Sequence, residues 1–151
     1  MIRTEKRLRL CICLIAANLC FIWGNSLMDA RTSAAFSDLI ARIIAWLLPG
    51  DGPITEGTGL LRKIAHFTEF AALGMGLTWL LAMLERSRWM ALLLGGCAAC
   101  VDETIQRFVP GRGPSLRDVG IDTCGVAAGI ILLSLGYFIY RNRKHNKIGG
   151  I

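Results

Sequence analysis

The residues able to move protons, bind a metal or grip an anion fall in two short stretches. The first is Lys63-x-x-His66-x-x-Glu69. The second runs from Cys100 to Asp122, CVDETIQRFVPGRGPSLRDVGID, and holds Asp102, Glu103, Gln106, Arg107, Arg112, Arg117, Asp118 and Asp122. Carboxylates in or beside membrane-compatible sequence are expensive unless they are paired, hydrated or used. Imidazole titrates near neutral pH, so His66 suits a general acid or base. Glu69 lies three residues on, shares its helical face and would orient it. Asp102 and Glu103 would activate water, and a divalent metal is conceivable on His66, Glu69 and Asp102. Lys63 and Arg112 would hold a phosphate or pyrophosphate, the guanidinium in bidentate fashion. Gln106, Asp118 and Asp122 complete the candidate binding set. A structural reading competes. In it Glu103 pairs with Arg107 four residues on, Arg112 or Arg117 neutralises Asp118 or Asp122, and buried ions fix helix register. Neither Ser115 nor Thr104 sits in a strained nucleophile motif, and no glycine-rich nucleotide loop is visible.

The elements that must position these groups are apolar helices. The chain has 151 residues, is 54% hydrophobic and has a mean hydropathy of +0.50, with the apolar residues blocked into long runs. This predicts one all-α, polytopic membrane domain over 1–151. Spanning helices are expected at about 10–27, 60–84, 89–109 and 118–140. The first has a basic start like a signal peptide, but no small-x-small site closes it, so it reads as an uncleaved span. Phe36, Leu39, Ile40, Ile43 and Leu47 recur at helical spacing, with Ser37, Asp38 and Arg42 on the other side. A helix at about 34–48, too short to span, is therefore expected in the membrane interface with Trp46 as anchor. Packing of this helix over the bundle is the alternative. Pro49-Gly50-Asp51-Gly52-Pro53 should stop it, and 54–59 reads as loop. Ser115 is the expected N-cap of the last helix. The six cysteines fall within apolar runs and read as small hydrophobes, Cys97-x-x-Cys100 included.

Helical spacing aims the polar residues inward. Asp102 and Gln106 are four apart, with Gly95 and Ala99 on the same stripe. Asp118 and Asp122 are four apart, with Gly125 and Gly129 continuing theirs. Small residues let helix backbones approach closely.

The net charge of +6 reflects topology signals, and no nucleic-acid partner is expected. Four spans place Arg3, Lys6, Arg7, Arg9, Arg86, Arg88, Arg141, Arg143, Lys144 and Lys147 on one side. The remaining seven of the 17 basic residues lie on the other. Both termini are therefore expected in the cytoplasm, with the polar clusters together at the outer leaflet.

These motifs resemble the VanZ-like family of small bacterial membrane proteins. The resemblance rests on Lys63-x-x-His66-Phe67-x-x-Phe70, on Asp102-Glu103-x-x-Gln106-x-x-x-Pro110-Gly-Arg112, and on Asp118-Val119 followed by Asp122 and Gly125. Asn25-Ser26 also looks similar. It covers residues ~10 to ~140. The family more usually has tyrosine where Phe70 stands and asparagine where Asp122 stands. The resemblance implies a multi-pass protein of the bacterial cytoplasmic membrane, in a family named for an association with low-level teicoplanin resistance. The expected partners are membrane lipids, lipid-linked wall precursors or a glycopeptide drug. Three roles stay open: an enzyme on a lipid-linked envelope substrate, a binding or accessory protein, and a small proton-coupled transporter.

Overall fold

The computed structural model describes residues 2–47 and 58–148, and these form five α-helices and no strand. They are α1 (Ile2–Ser26), α2 (Ala30–Leu47), α3 (Thr58–Met83), α4 (Trp89–Gln106) and α5 (Leu116–Ile148). The expected Pro49–Pro53 stop and residues 54–57 lie outside the described residues, and α3 already begins at Thr58. Three stretches are long and apolar enough to cross a membrane: Thr4–Ser26, Gly59–Met83 and Leu116–Lys144. α4 has 18 residues, a length of about 27 Å, and its last turns are given over to Asp102, Glu103 and Gln106.

Large apolar side chains cover the outside. Leu10, Leu14 and Phe21 of α1, Leu93 of α4 and Ile131, Leu132 and Leu135 of α5 are all exposed. Water would not tolerate so continuous an apolar surface on a monomer, whereas lipid does. Of the six cysteines only Cys11 is buried; Cys13, Cys20, Cys97, Cys100 and Cys124 are on the outside. These five small side chains are part of the outer apolar coat.

The interior depends on small residues. α3 and α5 form the most extensive helix pair. A Cβ on Gly125 would lie 2.5 Å from the Phe67 carbonyl oxygen, and one on Gly129 would overlap the Ala71 carbonyl oxygen. Val126, between these two, is fully buried. A Cβ on Gly95 of α4 would come within 2.6 Å of its side chain, and one on Gly74 of α3 would overlap its carbonyl oxygen. Phe70, Leu73, Leu77, Ala91, Ala99 and Ile22 complete the core around it.

The helix ends follow local chemistry. Asp29 caps α2: its Oδ1 accepts the Thr32 N–H at 2.9 Å and its Oδ2 the Thr32 hydroxyl at 2.8 Å. Those bonds hold the Asp29 carboxyl below its ordinary pKa, the backbone bond first. α3 ends in a Schellman motif, with Arg86 N–H on the Leu81 carbonyl at 2.8 Å and Glu85 N–H on that of Ala82 at 3.3 Å. Glu85 takes the left-handed position, φ 55°, where glycine is usual. α2 presents its apolar stripe outward: Phe36, Leu39, Ile43, Trp46 and Leu47 are exposed, while Ser33 and Ser37 are buried. α2 also packs on α3, so the helix lies over the bundle, the alternative open in the sequence, while this stripe faces away from it.

The glycine contacts give a prediction. Gly129→Ala should destabilise the protein by about 1–3 kcal/mol through overpacking. Gly136→Ala, on the same helix with nothing within 4 Å of the added carbon, should be neutral or stabilising by up to about 1 kcal/mol. Unfolding of the two variants in detergent checks this; equal effects would mean that the α3–α5 approach is not tight.

Candidate functional site

Four helix ends converge: the C-terminal ends of α1 and α4 and the N-terminal ends of α3 and α5. Asp102 is the most enclosed charged group, with 0% exposure. Its Oδ1 accepts the Ser26 hydroxyl at 2.7 Å and its Oδ2 accepts Gln106 Nε2 at 2.8 Å. Gln106 also reaches the Ser26 oxygen at 3.4 Å. The i,i+4 spacing of Asp102 and Gln106 makes that bond local to α4, whereas Ser26 arrives from the last residue of α1. His66 is buried, and its Nδ1 stands 3.9 Å from Asp102 Oδ2, beyond hydrogen-bond length. No hydrogen-bond partner is present for that nitrogen. Asp122, 2% exposed, completes the group: one ligand atom from each of His66, Asp102 and Asp122 lies within 4.8 Å of the others.

Glu69 looks elsewhere. Its Oε1 accepts Asn25 Nδ2 at 2.9 Å, and its backbone carbonyl accepts Asn18 Nδ2 at 3.3 Å. Its second oxygen, Oε2, is buried without a partner. The expected service to His66 is not among its bonds, and Asp122 stands where the sequence placed Glu69 as a third metal candidate. Glu103 is buried, and its Oε2 accepts the Ser115 backbone N–H at 2.6 Å. This charge-assisted bond ties the end of α4 to the start of α5. Arg107 is exposed, so the i,i+4 pair expected for Glu103 is replaced by this clamp.

The loop between them is built for the clamp. Arg112 N–H bonds the Val109 carbonyl at 3.2 Å, and Gly111 has φ 76°. With Pro110 before the glycine this is a type II turn, whose third position needs a positive φ. It sends Arg112 back to α1, where Nη1 donates to the Ser26 carbonyl at 3.4 Å. A guanidinium at a helix C-terminus also meets the negative end of the helix dipole. Ser115 Oγ accepts Asp118 N–H at 3.4 Å, the expected N-cap of α5.

A small pocket opens beside Asp122. Its wall is Arg62, Lys63, His66, Glu103, Gln106, Asp118, Ile121 and Asp122. Arg62 Nη2 approaches Asp118 Oδ2 at 3.9 Å, both half-exposed. The pairing expected for Asp118 with Arg112 or Arg117 is therefore made by Arg62. The pocket's cations are Arg62 and Lys63, while Arg112 is held on α1. Arg62 was missed in the sequence although it lies four residues before His66 on the same helical face. Ser26 and Asn25 entered the sequence reading through the family resemblance, with no role at the site. Their partners lie 76 and 44 residues away, and no local spacing announces them.

A sequence model described as VanZ/LLP1 matches residues 10–139. The chain belongs to the VanZ/LLP1 family. With its three apolar helices it is a VanZ-like membrane protein. Among curated proteins, and among solved structures, no match is found. The VanZ/LLP1 match takes in every residue of the polar cluster, from Asn25 to Asp122.

The Asn25–Glu69 bond predicts a coupling. Asn25→Ala leaves a partly buried carboxylate without its amide donor and should lower stability by about 1–3 kcal/mol. A double-mutant cycle with Glu69→Gln should give an interaction energy of at least about 0.5 kcal/mol. Strict additivity in detergent unfolding would show that the two groups do not interact.

Proposed function

We propose that this VanZ-like protein is a single four-span domain of the bacterial cytoplasmic membrane, with both termini cytoplasmic and α2 lying in the interface. Its polar pocket then faces the outer leaflet, where it binds the phosphate-bearing head of a lipid-linked envelope component. The observation that carries this reading is the pocket itself. Arg62 and Lys63 stand beside His66, Asp118 and Asp122 at the end of a bundle whose flanks are apolar. A ligand reaching such a site comes from the bilayer, and paired cations at its mouth suit a phosphate or pyrophosphate. The outward apolar stripe of α2 supports the interfacial placement. α4 supports a fourth span by returning antiparallel to α3 from the tight turn at 84–88.

Two uses of the bound head are chemically open. With His66 as acid or base and the carboxylates activating water, the lipid would be turned over. The accessory reading has an observation of its own: Asp102 and Glu103 already accept bonds from Ser26, Gln106 and Ser115, which suits a rigid binding frame. Altered teicoplanin susceptibility would follow from either, through the lipid-linked wall precursors.

Topology is tested by single cysteines in a cysteine-free background. In spheroplasts, Gly113→Cys should react with a membrane-impermeant maleimide and Arg88→Cys should not; the reverse pattern would invert the protein. Function is tested by mass spectrometry of lipids and lipid-linked wall precursors. Strains are a deletion, its wild-type rescue and its Asp102→Asn rescue at equal membrane abundance. A lipid-linked species should accumulate in the deletion and in the Asp102→Asn rescue only. Three matching profiles would remove turnover and leave the binding reading.

A further inference from the structure

Two carboxylates, Asp102 and Asp122, are 0% and 2% exposed in an apolar bundle. Buried charges of one sign need a countercharge. Among the described residues, no Lys or Arg nitrogen comes within 4.0 Å of either carboxylate. Arg62 approaches Asp118 instead, at 3.9 Å, and Arg112 donates to the Ser26 carbonyl. Into this gap points His66, only 9% exposed, with Nδ1 unpartnered. Its 3.9 Å separation from Asp102 Oδ2 is too long for a hydrogen bond. It is close to the spacing of two ligands on one ion, about 3–3.5 Å for bonds of about 2.1 Å.

We propose that His66 Nδ1 and one oxygen each of Asp102 and Asp122 bind a single divalent cation. An ion of charge +2 neutralises the two carboxylates and gives the imidazole nitrogen its missing partner. One nitrogen and two oxygen ligands suit Zn2+ or Mn2+, with at least one coordination position left open. Ser26 and Gln106 act as positioning residues: their bonds to Asp102 fix the carboxylate, as outer-shell partners do at metal centres. The Gly125 contact with Phe67 brings α5 onto α3 one turn from Asp122 and one residue from His66. His66 and Asp122 also line the pocket that holds Arg62 and Lys63, so the open position faces it. A phosphate oxygen would complete the coordination there, and that last step rests on the proposed lipid-phosphate function.

The test uses the full chain in dodecyl maltoside, free of phosphate and lipid, so the ion is measured apart from the lipid reading. Chelator-stripped protein is titrated calorimetrically with Zn2+ and Mn2+. One saturable equivalent is expected for at least one of the two ions. His66→Gln and Asp122→Asn should each weaken it at least tenfold, while Glu69→Gln should bind as the native chain does. Absence of saturable binding by the native chain, or native-like affinity in both ligand variants, overturns the proposal. A second measurement needs no change at the site. The chain has two histidines, His66 and His145, so His145→Ala leaves one imidazole. Pulsed EPR of Mn2+ bound to that variant should show imidazole nitrogen coupling; bound Mn2+ without it overturns the assignment.

Discussion

The near-contact of the α3 and α5 backbones is the constraint on which the rest depends. Gly125 against Phe67 and Gly129 against Ala71 leave no room for a side chain between the two helices. In lipid there is little hydrophobic drive between helices, so such close packing is a main source of their association. Once those backbones are fixed, Asp122 must lie near His66. Val126 is then wedged against Gly74 and Gly95, which draws α4 in and delivers Asp102 to the same place. The polar cluster is thus a consequence of where small residues permit approach. It does not have to hold the bundle together by itself.

A second constraint is the accounting of polar groups away from water. Ser26, Gln106, Asn25 and the Ser115 N–H each supply a donor to a carboxylate that would otherwise be bare. These donors come from α1, α4 and the loop before α5, so the network sews together elements distant in sequence. Burial without satisfaction persists at Trp23 Nε1, His66 Nδ1, Glu69 Oε2, Glu103 Oε1 and Arg112 Nε. Buried groups left in this way are unusual in a settled core. Of these, His66 and Glu103 line the pocket, while Glu69 and Arg112 belong to the contacts with α1.

Much of this was legible in the sequence wherever the signal was periodic or local. The helices, the Ser115 cap, and the inward stripes of Gly95, Ala99, Gly125 and Gly129 follow from spacing alone. So does the meeting of the His66 cluster with the Asp102–Asp122 stretch, although the sequence put Glu69, not Asp122, beside His66 and Asp102. The individual partnerships were not legible. Arg112 turning onto α1, Glu103 reaching Ser115 and Glu69 reaching Asn25 depend on axial register and on a glycine turn. A shift of one residue along a helix moves a side chain through about 100°, and composition does not encode that choice. The outward direction of the α2 stripe was undecided for a related reason: amphipathicity names a face but not the phase it contacts.

The outward cysteines carry a different consequence. Cys13, Cys20 and Cys124 lie on the outside of helices apolar enough to cross a membrane. Thiol oxidation and disulfide exchange run through the thiolate, a species that hydrocarbon does not support. Their chemical quiet would then come from the solvent around them. Oil performs the shielding that a reducing cytosol gives to soluble proteins, and extraction into a wet micelle is the moment at which it would be lost.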